Sequence, residues 1–226
     1  MSDIYNNNSL YEEQGDNHFI SNTDTPLRDD AFLLSDEEKI VSIEKDMASI
    51  MTTLGLDLSD DSLKGTPHRV AKMFVKEIFG GLHPSRKPKA SSFDNKYQYG
   101  EMLVEKNIVL YSTCEHHFLP IVGRAHVAYI SNGTVIGLSK MNRIVEYYAK
   151  RPQVQERLTM QIVKEMQDAL GTENVACVID AKHLCVNSRG IKDIESSTVT
   201  SEFGGLFKED KYKREFLDYI KLETKF

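Results

Sequence analysis

Apolar residues at helical spacing mark the N-terminal third of the chain. The stretch "SDEEKIVSIEKDMASIMTTL" opens with a capping box, Ser35 and Glu38, and continues with apolar residues three and four positions apart. A second helix is predicted where Thr66 and Pro67 act as N-cap and first helical position and a pair of glycines ends the apolar stripe. We therefore predict a helical N-terminal part over residues 35–82.

Further along, the apolar period changes from helical towards two. The stretches "MLVEKNIVLYST", "RAHVAYIS", "NVACVIDAKHLCVNS" and "ESSTVTSEF" predict strands, and the pair Asn132-Gly133 predicts a tight hairpin before "VIGLS". Helices are predicted for "KMNRIVEYYAK", for "KYKREFLDYIKLET" and for "PQVQERLTMQIVKEMQDAL", which Pro152 opens and Gly171 closes. In the last of these helices, the apolar residues predicted to face inward are Val154, Leu158, Ile162, Met166 and Leu170. A mainly antiparallel sheet with separate helices is an α+β fold, predicted here over residues 100–226.

Composition and charge narrow the class of protein. Residues 1–34 are rich in Asn, Asp, Ser and Thr, so a disordered arm is predicted. The remainder of the 226 residues can bury one sizeable core. The net charge of -6 argues against polynucleotide binding. Because the sequence shows neither an apolar run of about 18 residues nor an export signal, we expect a cytoplasmic chain that does not bind membranes.

Four chemically active residues stand together in "STCEHHFLP". Cys114 and His117 have the C-x-x-H spacing of metal ligands, which alone is a weak signal. His183 and Cys185 in "HLC" lie two apart on a predicted strand and should project from one face. Cys114, His117 and Cys185 would form a Cys2His site that favours zinc and leaves a fourth position for water. His116 and His183, next to these ligands, suit proton transfer.

Spacing alone leaves other interpretations open. Cys114 and Cys185 could be buried apolar thiols. The site could also be closed and structural, with His116, His183 or Cys177 as the fourth ligand. Cys177 shares strand parity with His183 and Cys185, but the apolar run "NVACVID" favours a place in the core.

From about Ser35 to its C-terminus the chain resembles GTP cyclohydrolase I, in "CEHHF", "VIGLSKMNRIV", "RPQVQERLT" and "HLCVNSRGI". The resemblance implies the tunnelling fold (T-fold), an antiparallel sheet with helices packed on one side, with an N-terminal helical extension. It implies a homodecamer of two pentamers with active sites between subunits. It also implies zinc-dependent conversion of GTP to 7,8-dihydroneopterin triphosphate and formate, the first step of tetrahydrofolate and pterin biosynthesis. Ser131 departs from the proline common in the family at a turn.

The resemblance also assigns roles to individual residues. Cys114, His117 and Cys185 match the zinc ligands, and His116 and His183 match the flanking acid/base histidines. No G-x-x-x-x-G-K-[ST] loop is present to hold phosphates. The positions that match the family's triphosphate contacts are Ser139, Lys140, Arg143, Arg189 and Arg69.

Guanine recognition follows from residue type. Glu156 offers two carboxylate oxygens that fit the N1–H and 2-amino donors of guanine, and the amide of Gln155 can supplement the purine edge. Alternatively, both side chains face water near a helix N-terminus, and the basic residues are ordinary solvated surface groups. A non-catalytic pterin- or nucleotide-binding module and a zinc-stabilised assembly protein are therefore the alternative functions.

Overall fold

The computed structural model describes residues 24–89 and 92–223. Residues 1–23 of the predicted arm lie outside this range. The α-helices are α1 (Asp36–Thr53), α2 (Thr66–Met73), α3 (Leu138–Ala149), α4 (Gln155–Leu170), α5 (Leu184–Asn187) and α6 (Asp210–Lys221). A π-helical turn, Phe74–Ile78, continues α2, and short 3-10 helices span Gly80–Leu82, Pro84–Arg86 and Gly205–Lys208. The strands are β1 (Ser92–Asp94), β2 (Met102–Cys114), β3 (Pro120–Ile130), β4 (Thr134–Ile136), β5 (Pro152–Gln153), β6 (Val175–His183) and β7 (Thr198–Phe203).

A five-stranded sheet organises the fold, in the order β5-β2-β3-β6-β7. The β2–β3, β3–β6 and β6–β7 pairs are antiparallel, and only the two-residue β5 lies parallel to its neighbour, β2. The α+β prediction is therefore confirmed, with a sheet that is mixed at one edge. Helices α1 and α2 precede the sheet, as the apolar spacing predicts.

Helices cover both faces of the sheet, which corrects the prediction of helices on one side. Alternate residues of β3 enter different clusters: Val127 and Tyr129 pack with α3 and α4, whereas Ala128 and Ile130 pack with Phe216 of α6. Side chains on a strand alternate between faces. Because this end of the sheet is apolar on both faces, the second face needs its own cover, and the amphipathic α6 supplies it.

The predicted hairpin at Asn132-Gly133 is wrong as a pairing. Gly133 does form a turn with φ +91°, but β4 pairs with β1 and not with β3. The physical reason is that β3 is hydrogen-bonded to β2 on one side and to β6 on the other, so it offers no free edge. The turn packs next to β1 instead: the backbone N–H of Asn95, just after β1, donates to the Gly133 carbonyl at 2.9 Å.

The helix ends follow the predicted chemistry with two shifts. Ser35 and Glu38 form the complete capping box, and Gly171 closes α4 in the left-handed conformation. Thr66 is already helical, so Gly65 is the N-cap of α2. Pro152 does not open α4; it lies in β5, and the helix begins at Gln155. The predicted inward stripe of α4 is buried throughout: Val154, Leu158, Ile162, Met166 and Leu170.

The part of the predicted arm that the structure describes, residues 24–34, lies against the N-terminal helices. The Phe32 ring is edge-on to His83, with ring centroids 5.3 Å apart, and Lys39 of α1 donates to the Ala31 carbonyl at 2.9 Å. Among the described residues, no helix has both the length and the apolar content needed to span a membrane.

Candidate active site

The first two candidate ligands lie on the tight turn that joins β2 to β3. Cys114 is the last residue of β2, and its N–H and carbonyl both bond across the turn, to Leu119 O at 2.8 Å and Phe118 N at 2.9 Å. Phe118 completes the reversal with φ +53°. This turn leaves Cys114 buried and places His117 at the surface three residues later.

The third candidate ligand comes from the end of β6. The strand stops at His183, opposite Ile121 of β3, and Cys185 lies in the short helix α5. The prediction that His183 and Cys185 share one strand face is therefore wrong for Cys185. The helical turn nevertheless brings its thiol to the Cys114 turn, because β3 and β6 are neighbours in the sheet.

Cys114, His117 and Cys185 form a group that could hold a metal ion. Their ligand atoms all lie within 4.8 Å of one another. A tetrahedral zinc site needs such atoms about 3.5–3.8 Å apart, so modest side-chain adjustments would complete it. Two thiols and one imidazole are donors that zinc prefers over magnesium or calcium. The donor set and its geometry therefore fit the ion that the sequence predicts.

Cys185 and Cys177 have different surroundings. Burial, followed by the nearby Cys114, raises the pKa of the Cys185 thiol to about 11. A bound dication would reverse this effect, because a coordinating thiol is deprotonated. Cys177 is fully buried among apolar side chains, and burial raises its pKa as well. Cys177 belongs to the core, as its apolar neighbours in the sequence predict.

The two histidines predicted to transfer protons, His116 and His183, differ in exposure. His116 is exposed, with Nδ1 3.7 Å from the Cys114 sulfur. His183 is half-buried, and its Nε2 lies 2.8 Å from the side-chain oxygen of Gln155. Burial lowers the pKa of His183, while the negative charge of Glu156 acts in the opposite direction. Both histidines thus adjoin the candidate ligands without being part of the three-residue group.

The start of α4 holds the ligand turn in place. Strand β5 pairs with the end of β2, and the Glu115 N–H donates to the Gln153 carbonyl at 3.0 Å. The Glu115 carboxylate also forms an ion pair with Arg157, whose side chain is 3% exposed. Sequence reasoning missed this pair. Opposite charges within the two motifs were the available signal, but 42 residues separate them.

Neighbouring residues at the start of α4 face different surroundings. Gln155 is buried and its amide contacts protein atoms, whereas Glu156 is exposed near His183. Consecutive helical residues point about 100° apart, which explains the difference. The carboxylate of Glu156 is therefore open to solvent on the side of α4 near His183.

The candidate phosphate residues fall into separate places. Lys140 and Arg143 of α3 line a basic cavity of about 560 Å³, and none of the described residues lining it belongs to the metal group. Ser139 precedes Lys140 on the same helix. Arg189 lies close enough to Cys185 for its positive charge to oppose, weakly, the rise in the pKa of that thiol caused by burial and Cys114. Arg69 of α2 donates to the Thr66 hydroxyl at 2.9 Å and to the carbonyl of Ser62, in the turn before α2, at 3.3 Å.

Comparison with known proteins identifies the family. The family model of GTP cyclohydrolase I matches residues 43–221. The GTP cyclohydrolase 1 of Flavobacterium johnsoniae is 77% identical over 223 residues, covering 99% of this chain and 100% of the relative. The enzymes of that name from Aeromonas salmonicida and Klebsiella pneumoniae are 54% and 53% identical, each covering 88% of this chain and 90% of the relative. The chain therefore belongs to the GTP cyclohydrolase I family and is an enzyme of that kind.

Proposed function

We propose that the chain converts GTP to 7,8-dihydroneopterin triphosphate and formate with zinc held by Cys114, His117 and Cys185, as the first step of pterin synthesis. The observation that carries this proposal is the convergence of three ligand atoms within 4.8 Å, next to His183. The relatives' shared name supports GTP as the substrate.

The ligand group fits a hydrolytic role. When bound, zinc would supply a Lewis acid and a water molecule whose pKa is near 7. The three side chains leave one tetrahedral position open. His117 is exposed and Cys185 is partly exposed, so a substrate can approach this side of the group.

Proton transfer falls to the two histidines beside the group. The half-buried ring of His183 is fixed by a hydrogen bond and suits directed transfer to a purine ring nitrogen. The exposed His116 is placed to exchange protons with solvent as the ring opens and formate leaves. The later rearrangement of the ribose mainly needs the same kind of proton transfer.

Glu156 is the residue that we assign to guanine recognition. Its exposed carboxylate offers two acceptors for the N1–H and 2-amino donors of guanine, and adenine lacks this pair of donors.

We expect Glu156→Gln to lower kcat/KM for GTP by about 10- to 100-fold, because the amide replaces one acceptor with a donor and removes the charge. The preference for GTP over ITP, which lacks the 2-amino group, should shrink in parallel. Steady-state assays with both nucleotides measure this. Glu173→Gln, the same change at an exposed carboxylate beyond the other end of α4, is the control. Unchanged kinetics for Glu156→Gln would mean that the carboxylate simply faces water.

The phosphate residues support an active site that is shared between copies. Lys140 and Arg143 lie in a cavity apart from the metal group, so one copy's Ser139, Lys140 and Arg143 would hold the triphosphate of GTP bound at a neighbour's metal, with Arg189 and Arg69 adding charge. The edge of β2 supports the tunnelling fold and its decameric barrel, because among the described residues β5 pairs only with Thr113 and Cys114 and no other strand pairs with the rest of that edge, where another copy could add a strand.

Metal removal tests the function directly. Purified protein given GTP should release formate and form a pterin chromophore; a chelator should reduce both to background, and added Zn²⁺ should restore them. GTP binding in calorimetry without turnover would instead indicate a binding module. Unfolding on chelation, with no thermal shift from GTP, would indicate a zinc-stabilised assembly protein.

A further inference from the structure

The amide of Gln155 is fully engaged inside the protein. The residue is 1% exposed at the first position of α4. Its nitrogen donates to the Thr198 carbonyl at 2.8 Å and to the Ile179 carbonyl at 3.2 Å, and it lies 3.1 Å from the Thr200 hydroxyl. Its oxygen lies 2.8 Å from His183 Nε2. The side chain therefore joins α4, β6 and β7 at the base of the active site.

These partners fix which end of the amide faces the histidine. Backbone carbonyls only accept hydrogen bonds, so the atom that faces Thr198 and Ile179 must be the donor nitrogen. The amide oxygen consequently faces His183. Because an amide oxygen only accepts, His183 Nε2 must carry a hydrogen in this contact.

A second set of contacts holds the amide in this orientation. The Thr159 hydroxyl, one turn along α4, donates to the backbone carbonyl of Gln155 at 2.8 Å, so it accepts from the Thr200 hydroxyl, 2.7 Å away. The Thr200 oxygen is then left to accept from the side-chain nitrogen of Gln155. Rotating the amide would place its oxygen against the two carbonyls. Leaving buried polar atoms without partners is costly, so the amide is poorly placed to turn towards a ligand.

We propose that Gln155 is a positioning residue, which holds His183 as the Nε2–H tautomer and thereby leaves Nδ1 as the atom that exchanges a proton with the substrate. This inference rests on the proposed function and deepens it. It gives Gln155 a task different from supplementing the purine edge. The neutral histidine ring has one donor and one acceptor nitrogen, and the partner of one nitrogen decides the role of the other.

The test combines kinetics with a readout that does not need turnover. Gln155→Met keeps the length of the side chain but cannot accept the Nε2 hydrogen. We expect kcat for GTP to fall by about ten- to a hundredfold, with the dissociation constant for GTP and the zinc content unchanged. In the His183→Ala background the same substitution should have no further effect on kcat, because its effect passes through that ring.

The nitrogen signals of His183 give the direct test. In zinc-loaded protein with ¹⁵N-labelled histidine, the signal that disappears in His183→Ala should show a hydrogen on Nε2, and Gln155→Met should release a mixture of tautomers. A hydrogen on Nδ1 with none on Nε2 in the unaltered protein would overturn the proposal whether or not GTP is turned over. Absence of formate release with Nε2 protonated would instead reject the proposed function and the catalytic task of Nδ1 while leaving the tautomer assignment standing.

Two further outcomes would overturn the role of Gln155. Weaker GTP binding with an unchanged kcat would mean that the amide reads the purine. An equal loss of kcat in Leu170→Ala, which removes packing at the buried far end of the same helix, would mean that general loosening of α4 is the cause.

Discussion

Replacing Cys185 by alanine should reduce formate release from GTP by at least about a hundredfold, because a metal contributes several kcal/mol and each 1.36 kcal/mol is a factor of ten. Only Cys114 and His117 would remain in the group. Two ligands hold zinc weakly, so the purified variant should contain little zinc. Formate assays and metal analysis of the same sample measure both effects.

Cys177→Ala is the matched control. This thiol is fully buried in the core between the sheet and α4, apart from the metal group. Alanine there creates a small cavity without burying a polar group, whereas serine would bury an unpaired hydroxyl. We expect somewhat lower stability, measured by thermal unfolding, with zinc content and turnover intact. Full turnover in Cys185→Ala without bound zinc would refute the metal assignment.

The elements of the fold could be read from local patterns. The five predicted inward residues of α4 are buried because a period of 3.6 places them on one stripe that must leave water. The capping box at Ser35 and the glycine at position 171 act on the nearest backbone groups, so neighbouring residues suffice to predict them.

The pairing of the strands and the packing of helices on each face of the sheet depend on residues that are distant in sequence. Asn132-Gly133 makes a turn, but both edges of β3 are occupied by strands remote in sequence, which no local signal reveals. In the same way, the apolar face of α6 predicts that it packs, but the face of the sheet that it covers depends on residues such as Ala128 and Val178.

In the candidate site, too, the residues of the metal group could be predicted from local sequence, whereas their supporting contacts could not. Residue type and spacing indicated all three members of the metal group, although the strand argument failed for Cys185, which reaches the site from α5. The supporting contacts could not be predicted. Gln155 and Arg157 lie two residues apart in one motif, but one fixes His183 and the other pairs with Glu115, and only the folded backbone sets these directions.

His183→Ala should lower kcat for GTP by about 10²–10⁴-fold, the usual contribution of a positioned acid or base. Zinc content should stay unchanged, because His183 is not among the three grouped ligands. This pattern separates it from His117→Ala, which should lose zinc and turnover together. Steady-state kinetics, metal analysis and GTP binding by calorimetry on both variants measure the contrast.

His126→Ala separates loss of proton transfer from loss of structure. The His126 ring is buried in β3 of the same sheet, where its Nδ1 accepts from the Asn107 N–H at 3.3 Å, so its removal should lower stability but not kcat. Added imidazole should restore part of the turnover of His183→Ala, since the vacated space lies beside the accessible ligand group, and none of that of His117→Ala. If His183→Ala instead lost zinc and its turnover did not respond to imidazole, the ring would be a ligand or a structural support. The assignment of proton transfer to His183 would then be rejected.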